Sequence, residues 1–193
     1  MLAQSVLAKV DAVGGYAISH SFDRHSGARP LAGLVSSFDD LCVLIRERRS
    51  DDERADVADR LVSELYADLP ALARVLPSLS DICPPVLGPR VDDGRVDIVA
   101  DLNLSSVSFL IQRFVRAVSS ASNPVMLCLD DLQYCGSGAV LSVVESVLTD
   151  ERCCLLFVGC YRSNEVGEGH AVVSMMHSLM TSGTMTTKLS LEG

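Results

Sequence analysis

Tryptophan is absent from this chain of 193 residues, and other aromatics are scarce, with five Phe and four Tyr. A core must therefore be assembled mainly from Leu, Val, Ile and Ala. Low-complexity tracts are also missing. Hydrophobic residues make up 48% and charged residues 21%, a composition that excludes a disordered chain and suits one globular domain over 1–193. No apolar run is long. The longest, Cys153 to Cys160, is far too short to span a bilayer, and the N-terminus lacks the basic and long apolar regions of a signal peptide. No two of the seven cysteines have C-x-x-C spacing; they stand at 42, 83, 128, 135, 153, 154 and 160. Their odd number, and their place within apolar runs, argue against a disulfide framework or zinc site and for a reducing, cytoplasmic setting with no membrane. Basic residues are outnumbered, leaving a formal net charge of -9. That balance opposes broad contact with nucleic acid, whose phosphates demand Lys and Arg. The cluster Arg46, Arg48, Arg49, followed at once by Asp51, Asp52, Glu53, reads as a solvated helix end and turn.

Hydrophobic spacing divides the remainder. Leu2, Val6, Leu7 and Val10 share a helical face that Gly14-Gly15 terminates. Tyr16 to Phe22 reads as a short strand. Leu31, Leu34, Val35, Phe38, Leu41, Cys42 and Ile45 predict a helix after Pro30, and a second follows over Asp52 to Ala67. The stretch 70–102 holds Pro84-Pro85 and Asp92-Asp93-Gly94, which predict an irregular connection with one short helix. Leu104, Val107, Leu110, Ile111, Phe114, Val115 and Val118 recur at three and four, the cleanest helical pattern of the chain, with Asn103 or Ser105 as its cap. Val125 to Leu129 is a continuous apolar strand. A helix capped by Ser137, a second buried strand over Cys153 to Tyr161, a helix from His170 to Met180 and a last strand over Met185 to Leu191 complete the pattern. Apolar strands separated by amphipathic helices predict an α/β fold, with a parallel sheet covered on both faces.

The chemistry is concentrated where the first buried strand ends, at Asp130-Asp131-Leu132-Gln133. An apolar strand that finishes in two acids presents carboxylates at the carboxyl edge of a sheet, where α/β proteins hold ligands. In a Walker B arrangement the first acid, Asp130, holds Mg²⁺ through its water shell. The second, Asp131, orients the attacking water or accepts its proton. The same two acids also satisfy the capping and dipole preferences of a helix start, so a purely structural role stands beside the chemical one. The next strand ends Gly159-Cys160-Tyr161-Arg162-Ser163-Asn164-Glu165. Arg162 there either reaches a terminal phosphate or pairs with Asp130, Asp131 or Glu165.

These blocks resemble the AAA ATPase domain similar to that of the origin recognition complex, found in large kinase-linked, cyclase-linked and transcription-regulator ATPases of the STAND type. Asp130-Asp131-Leu132-Gln133-Tyr134 is similar to its Walker B block. Gly159 to Arg162, Asn164-Glu165-Val166 and His170 are similar to its sensor-strand block. Gly15 to Ser19, Phe22-Asp23, Pro30-Leu31, Phe38 and Leu41-Cys42 are similar to the strand and helix that come earlier. The resemblance implies a P-loop core whose parent binds ATP with Mg²⁺ and changes conformation to control attached domains or proteins of a signalling assembly.

The departures are as informative. The Walker A loop, G-x-x-x-x-G-K-[ST], occurs nowhere in the sequence, and its backbone N–H groups and lysine are what grip phosphates. The first helix is similar to the one that loop should open, so the sheet is expected to be incomplete, without its first strand. Gly136 stands where the family has an acid, His20 and Ser21 replace its Gly-Lys, and no helical lid follows the last strand. The chain alone is therefore expected to be inactive as an ATPase and to bind no nucleotide tightly. A degenerate ATPase fold acting as an interaction module is the alternative. Weaker features read as structural: His20, Asp23 and His25 share one loop rather than a metal site, His170 and His177 have no acid partner, Ser19, Ser21 and Ser26 lack a nucleophile's context, and Met175, Met176 and Met180 form a packing stripe.

Overall fold

The computed structural model describes residues 6, 9–24, 30–83, 87, 103–135 and 138–190. Three parallel strands form one sheet in the order β1 (Tyr16–Ser21), β2 (Val125–Asp130), β3 (Leu155–Gly159). Tyr16 pairs with Val125 and Ser21 with Asp130; on the other side Val125 pairs with Leu155 and Leu129 with Gly159. The helices whose bounds are described are α1 (Pro30–Arg48), α2 (Asp51–Leu65), α3 (Leu69–Val75), α4 (Leu104–Val118), α5 (Gly138–Leu148) and α6 (Ala171–Thr181), and residues 9–12 are also helical. The fold is α/β, and no described helix is long and apolar enough to cross a membrane.

Local sequence explains the helix boundaries. Ser50 accepts from the Glu53 N–H at 3.3 Å while Glu53 accepts from the Ser50 N–H at 3.0 Å, a reciprocal capping box that opens α2. Asn103 caps α4 by accepting from the Ser106 N–H at 2.8 Å, and His170 caps α6 through Nδ1, which accepts from the Val172 N–H. The proposed Ser137 cap, Gly136, His25, Ser26, residues 1–5 and most of 84–102 lie outside the described residues. Within the connection, α3 and a 3-10 turn over Pro77–Asp81 are regular. Asp39 fastens that turn to α1, accepting from the Ser78 N–H at 2.8 Å and its hydroxyl at 2.9 Å.

The core lies on one face of the sheet. Tyr16, Ile18, Val125, Leu127 and Leu129 point toward α1, α4 and α5, and Phe38 meets Phe114 edge-on at 6.4 Å. Each such large apolar side chain contributes about 1.5–3 kcal/mol on burial. Among the described residues, fewer apolar side chains pack on the opposite face. Val10, Met126 and Cys128 form a small separate cluster there, backed by Val6, Ala17 and Val158.

Two expectations need correction. β3 is not a buried strand: its residues are half-buried or exposed, and Leu156 is 45% exposed. Among the described residues it pairs with β2 alone, so one edge stays open. Residues 184–190 form no strand, and Met185 is 95% exposed, since alternation makes a strand only where a sheet edge receives it.

Arg49 overturns a third. It is no solvated end: only 16% of its side chain is exposed. Its guanidinium lies over the Tyr16 ring at 5.1 Å and donates to the Tyr16 hydroxyl at 2.6 Å, to the Gly14 carbonyl at 2.7 Å and to the Asn123 side chain. One cation thus ties the end of α1 to the amino edge of the sheet. Arg49→Ala should lower unfolding free energy by about 2 kcal/mol, because these three acceptors and the Glu53 carboxylate lose a charged donor. Arg49→Lys should recover less than half, lacking the planar fork. Urea denaturation of both variants checks this.

Candidate functional site

Because all three strands run the same way, their carboxyl ends share one edge. β1 continues to Phe22, whose N–H donates to the Asp130 carbonyl at 3.1 Å. Cys160 N–H donates to the Leu129 carbonyl at 2.9 Å, and the Cys160 carbonyl accepts from Leu132 N–H at 3.0 Å. The chain therefore bends sharply between Asp130 and the 3-10 turn at Leu132–Tyr134.

Asp131 forms that bend with φ 55° and ψ 43°, the left-handed region; Tyr66 is the other non-glycine with positive φ among the described residues. A left-handed conformation costs an L-residue roughly 1–2 kcal/mol, and Asp tolerates it through local hydrogen bonding. Here Asp130 Oδ1 accepts from the Asp131 N–H at 2.8 Å. Asp130 is exposed at the strand end, while Asp131 accepts from Gln133 Nε2 at 2.7 Å.

Gln133 is a residue the motif reading gave no role. While its amide nitrogen holds Asp131, its Oε1 accepts from the Arg162 N–H at 3.2 Å. The side chain bridges the two acids' bend to the end of β3. Arg162 itself is 61% exposed and pairs with Asp131 at 3.8 Å and Glu165 at 3.3 Å. Of the partners suggested by sequence, these two are engaged. Arg24 closes the cluster from the β1 side, over the Tyr134 ring at 5.3 Å, donating to its hydroxyl at 3.2 Å and facing Glu165 at 3.9 Å.

No family model, curated protein or solved structure matches this chain. The chemistry of the edge must be argued from its own residues. Asp130 engages one carboxylate oxygen with backbone and leaves Oδ2 without a protein donor among the described residues. A single free carboxylate fits Mg²⁺, which keeps most of its waters and takes only one or two protein ligands. Among the described residues no group of three or more His, Cys, Asp or Glu side chains could enclose a metal on protein ligands alone.

His20 is packed, not exposed as a ligand. Its ring meets Phe22 edge-on at 4.8 Å, and a Cβ at Gly33 would fall 2.3 Å from its Nε2, so glycine there allows α1 to close on β1. Burial holds its pKa below the ordinary 6.5, against an opposing pull from Asp23. His177 is exposed, Met175 is buried, and Met180 is 65% exposed, so the methionine stripe packs only in part.

Two outcomes follow for this edge. Asp131→Gly should leave stability within about 1 kcal/mol, relief of the left-handed backbone offsetting the lost Gln133 bond, whereas Asp131→Val should cost about 2 kcal/mol or more. Chemical denaturation separates them. For His20 the unfolded chain binds the proton more readily than the folded one. Its contribution is thus complete above pH 6.5 and is lost as pH falls toward the lower folded pKa. Tm measured through that window should drop less steeply in His20→Asn than in the parent chain.

Proposed function

We propose that this chain is the core of an ATP-binding regulatory domain of the P-loop AAA/STAND class, lacking the Walker A loop and acting within a signalling assembly. The observation that carries the reading is the adjacency of Asp130, Asp131 and Arg162 at the carboxyl ends of neighbouring parallel strands, joined by Gln133. Asp130 would hold Mg²⁺ through water. Bound Mg²⁺ supplies charge neutralisation on the transferred phosphate. Asp131, kept in place by Gln133, orients the attacking water. Arg162, exposed and held only by surface ion pairs worth about 0–1 kcal/mol each, can exchange Asp131 and Glu165 for a terminal phosphate. Such an exchange would transmit the state of the nucleotide to the partner domains. The order of strands also suits a core that lacks one strand, since among the described residues β3 pairs with β2 alone.

The 193 residues alone should show at best millimolar ATP affinity by calorimetry, because no glycine-rich loop grips the phosphates. Mapping the 5′ end of the native transcript tests the parent reading. An in-frame G-x-x-x-x-G-K-[ST] upstream, with micromolar Mg·ATP binding by the extended chain that Asp130→Ala abolishes, supports it. Micromolar binding by the 193 residues that is lost in Asp130→Ala would overturn the view that the loop is required.

The open edge of β3 favours a second reading, in which the fold is an interaction module. The strand Leu155–Gly159 carries no charge, and uncharged open edges invite pairing. A monodisperse, cooperatively melting chain supports the module; aggregation relieved by Leu156→Lys supports an incomplete core.

A further inference from the structure

Glu165 is shared between two arginines that arrive from opposite sides of β2. Its Oε1 lies 3.3 Å from Nη1 of Arg162, beyond β3, and its Oε2 lies 3.9 Å from Nη2 of Arg24, beyond β1. Local structure brings all three together. The Glu165 N–H donates to the Arg162 carbonyl at 3.0 Å, closing a turn over Arg162-Ser163-Asn164-Glu165 that folds the carboxylate back toward its own arginine. On the other side, the Asp130 carbonyl accepts from the Phe22 N–H, so the chain leaving β1 passes the acids two residues before Arg24. Tyr134 then orients Arg24. Its ring lies under the guanidinium at 5.3 Å and its hydroxyl accepts from Nε at 3.2 Å, which leaves Nη2 facing Glu165. The Glu165 side chain is 25% exposed, against 71% for Arg24 and 61% for Arg162. An enclosed carboxylate thus has one oxygen on each of two more open guanidiniums, the contact pattern of a bound oxyanion.

We propose that Arg24 and Arg162 form a two-arginine site for a phosphate-type oxyanion, and that Glu165 occupies this site as an internal competitor. A phosphate group carries more charge than a carboxylate and offers more oxygens to a guanidinium fork. Exposed ion pairs such as those of Glu165 contribute little to stability, so a phosphate group is able to displace the carboxylate. Because one carboxylate serves both arginines, a ligand that draws Glu165 off either of them loosens the other. The exit of β1 therefore responds to what binds at the exit of β3. The proposal rests on the reading of this edge as a phosphate site, but not on a nucleotide as the source of the phosphate.

The test titrates the folded chain with magnesium pyrophosphate, followed by phosphorus NMR, and repeats the titration with magnesium ATP. Glu165→Gln should bind magnesium pyrophosphate about five- to tenfold more tightly than the parent chain, since one competing charge is removed. In the Glu165→Gln background, Arg24→Gln and Arg162→Gln should each weaken binding by about fivefold or more, whereas a ligand held by Arg162 alone is indifferent to Arg24. Circular dichroism melts establish that the variants fold. Tightening confined to pyrophosphate, with no binding of ATP and no effect of Asp130→Ala, supports the two-arginine site with free phosphate as its ligand and removes the nucleotide reading. ATP binding that depends on Asp130 but not on Arg24 or Glu165 overturns the two-arginine site and leaves the nucleotide reading standing. Unchanged affinity in Glu165→Gln, or no measurable binding by any variant, also overturns the proposal.

Discussion

Parallel pairing to β2 is the constraint on which the molecule depends. Strands that run the same way finish on the same edge, and each needs a long return path to begin again. Here helices supply those returns, and the contacts that shape the acidic edge come largely from segments directly following a strand. Phe22, the Asp130–Tyr134 turn and Cys160 interlock through backbone hydrogen bonds. Side-chain chemistry is then arranged on a frame that is set by the main chain.

The two faces of the sheet differ in what they contribute. The helical face holds nearly all of the buried apolar surface, and it fixes β1 and β2 firmly. Arg49 adds a fastening at the amino edge, far from the acids. Among the described residues the other face carries a small cluster around Met126 and Cys128. The burial of apolar residues is therefore uneven across one sheet: a large enclosed core on one side and, among the described residues, a small cluster on the other.

Much of this was readable from residue order, and the failures have physical causes. The spacing from Leu104 to Val118 and the apolar run from Val125 to Leu129 announced α4 and β2, because amphipathic period and full burial leave direct marks on a sequence. The run in β3 looked the same as that in β2, since apolar content does not say whether a strand is central or at an edge. The sequence does not reveal the role of Arg49, because its acceptors at the sheet edge lie 33 to 74 residues away and the neighbouring acids suggest a solvated turn. The acids and Arg162 were visible as motifs. Gln133 was hidden in plain view: an Asp-x-Gln spacing at a bend was the available signal, but its meaning required the left-handed Asp131.

The interlocked bend has an electrical consequence. Among the described residues, the ion pairs of this edge join the carboxylates of Asp131 and Glu165 to the guanidiniums of Arg24 and Arg162, with the acids Asp130 and Asp23 beside them. An anion arriving alone meets a surplus of its own sign, and both guanidiniums are already shared with carboxylates. A cation arriving alone is drawn in but finds few ligands. Under the proposed function, such an edge would favour the two together, a complexed ion pair whose positive member settles on the acids while its negative member competes for the arginines. Discrimination between a bare anion and its metal complex would then begin with the balance of charges, before any shape is read.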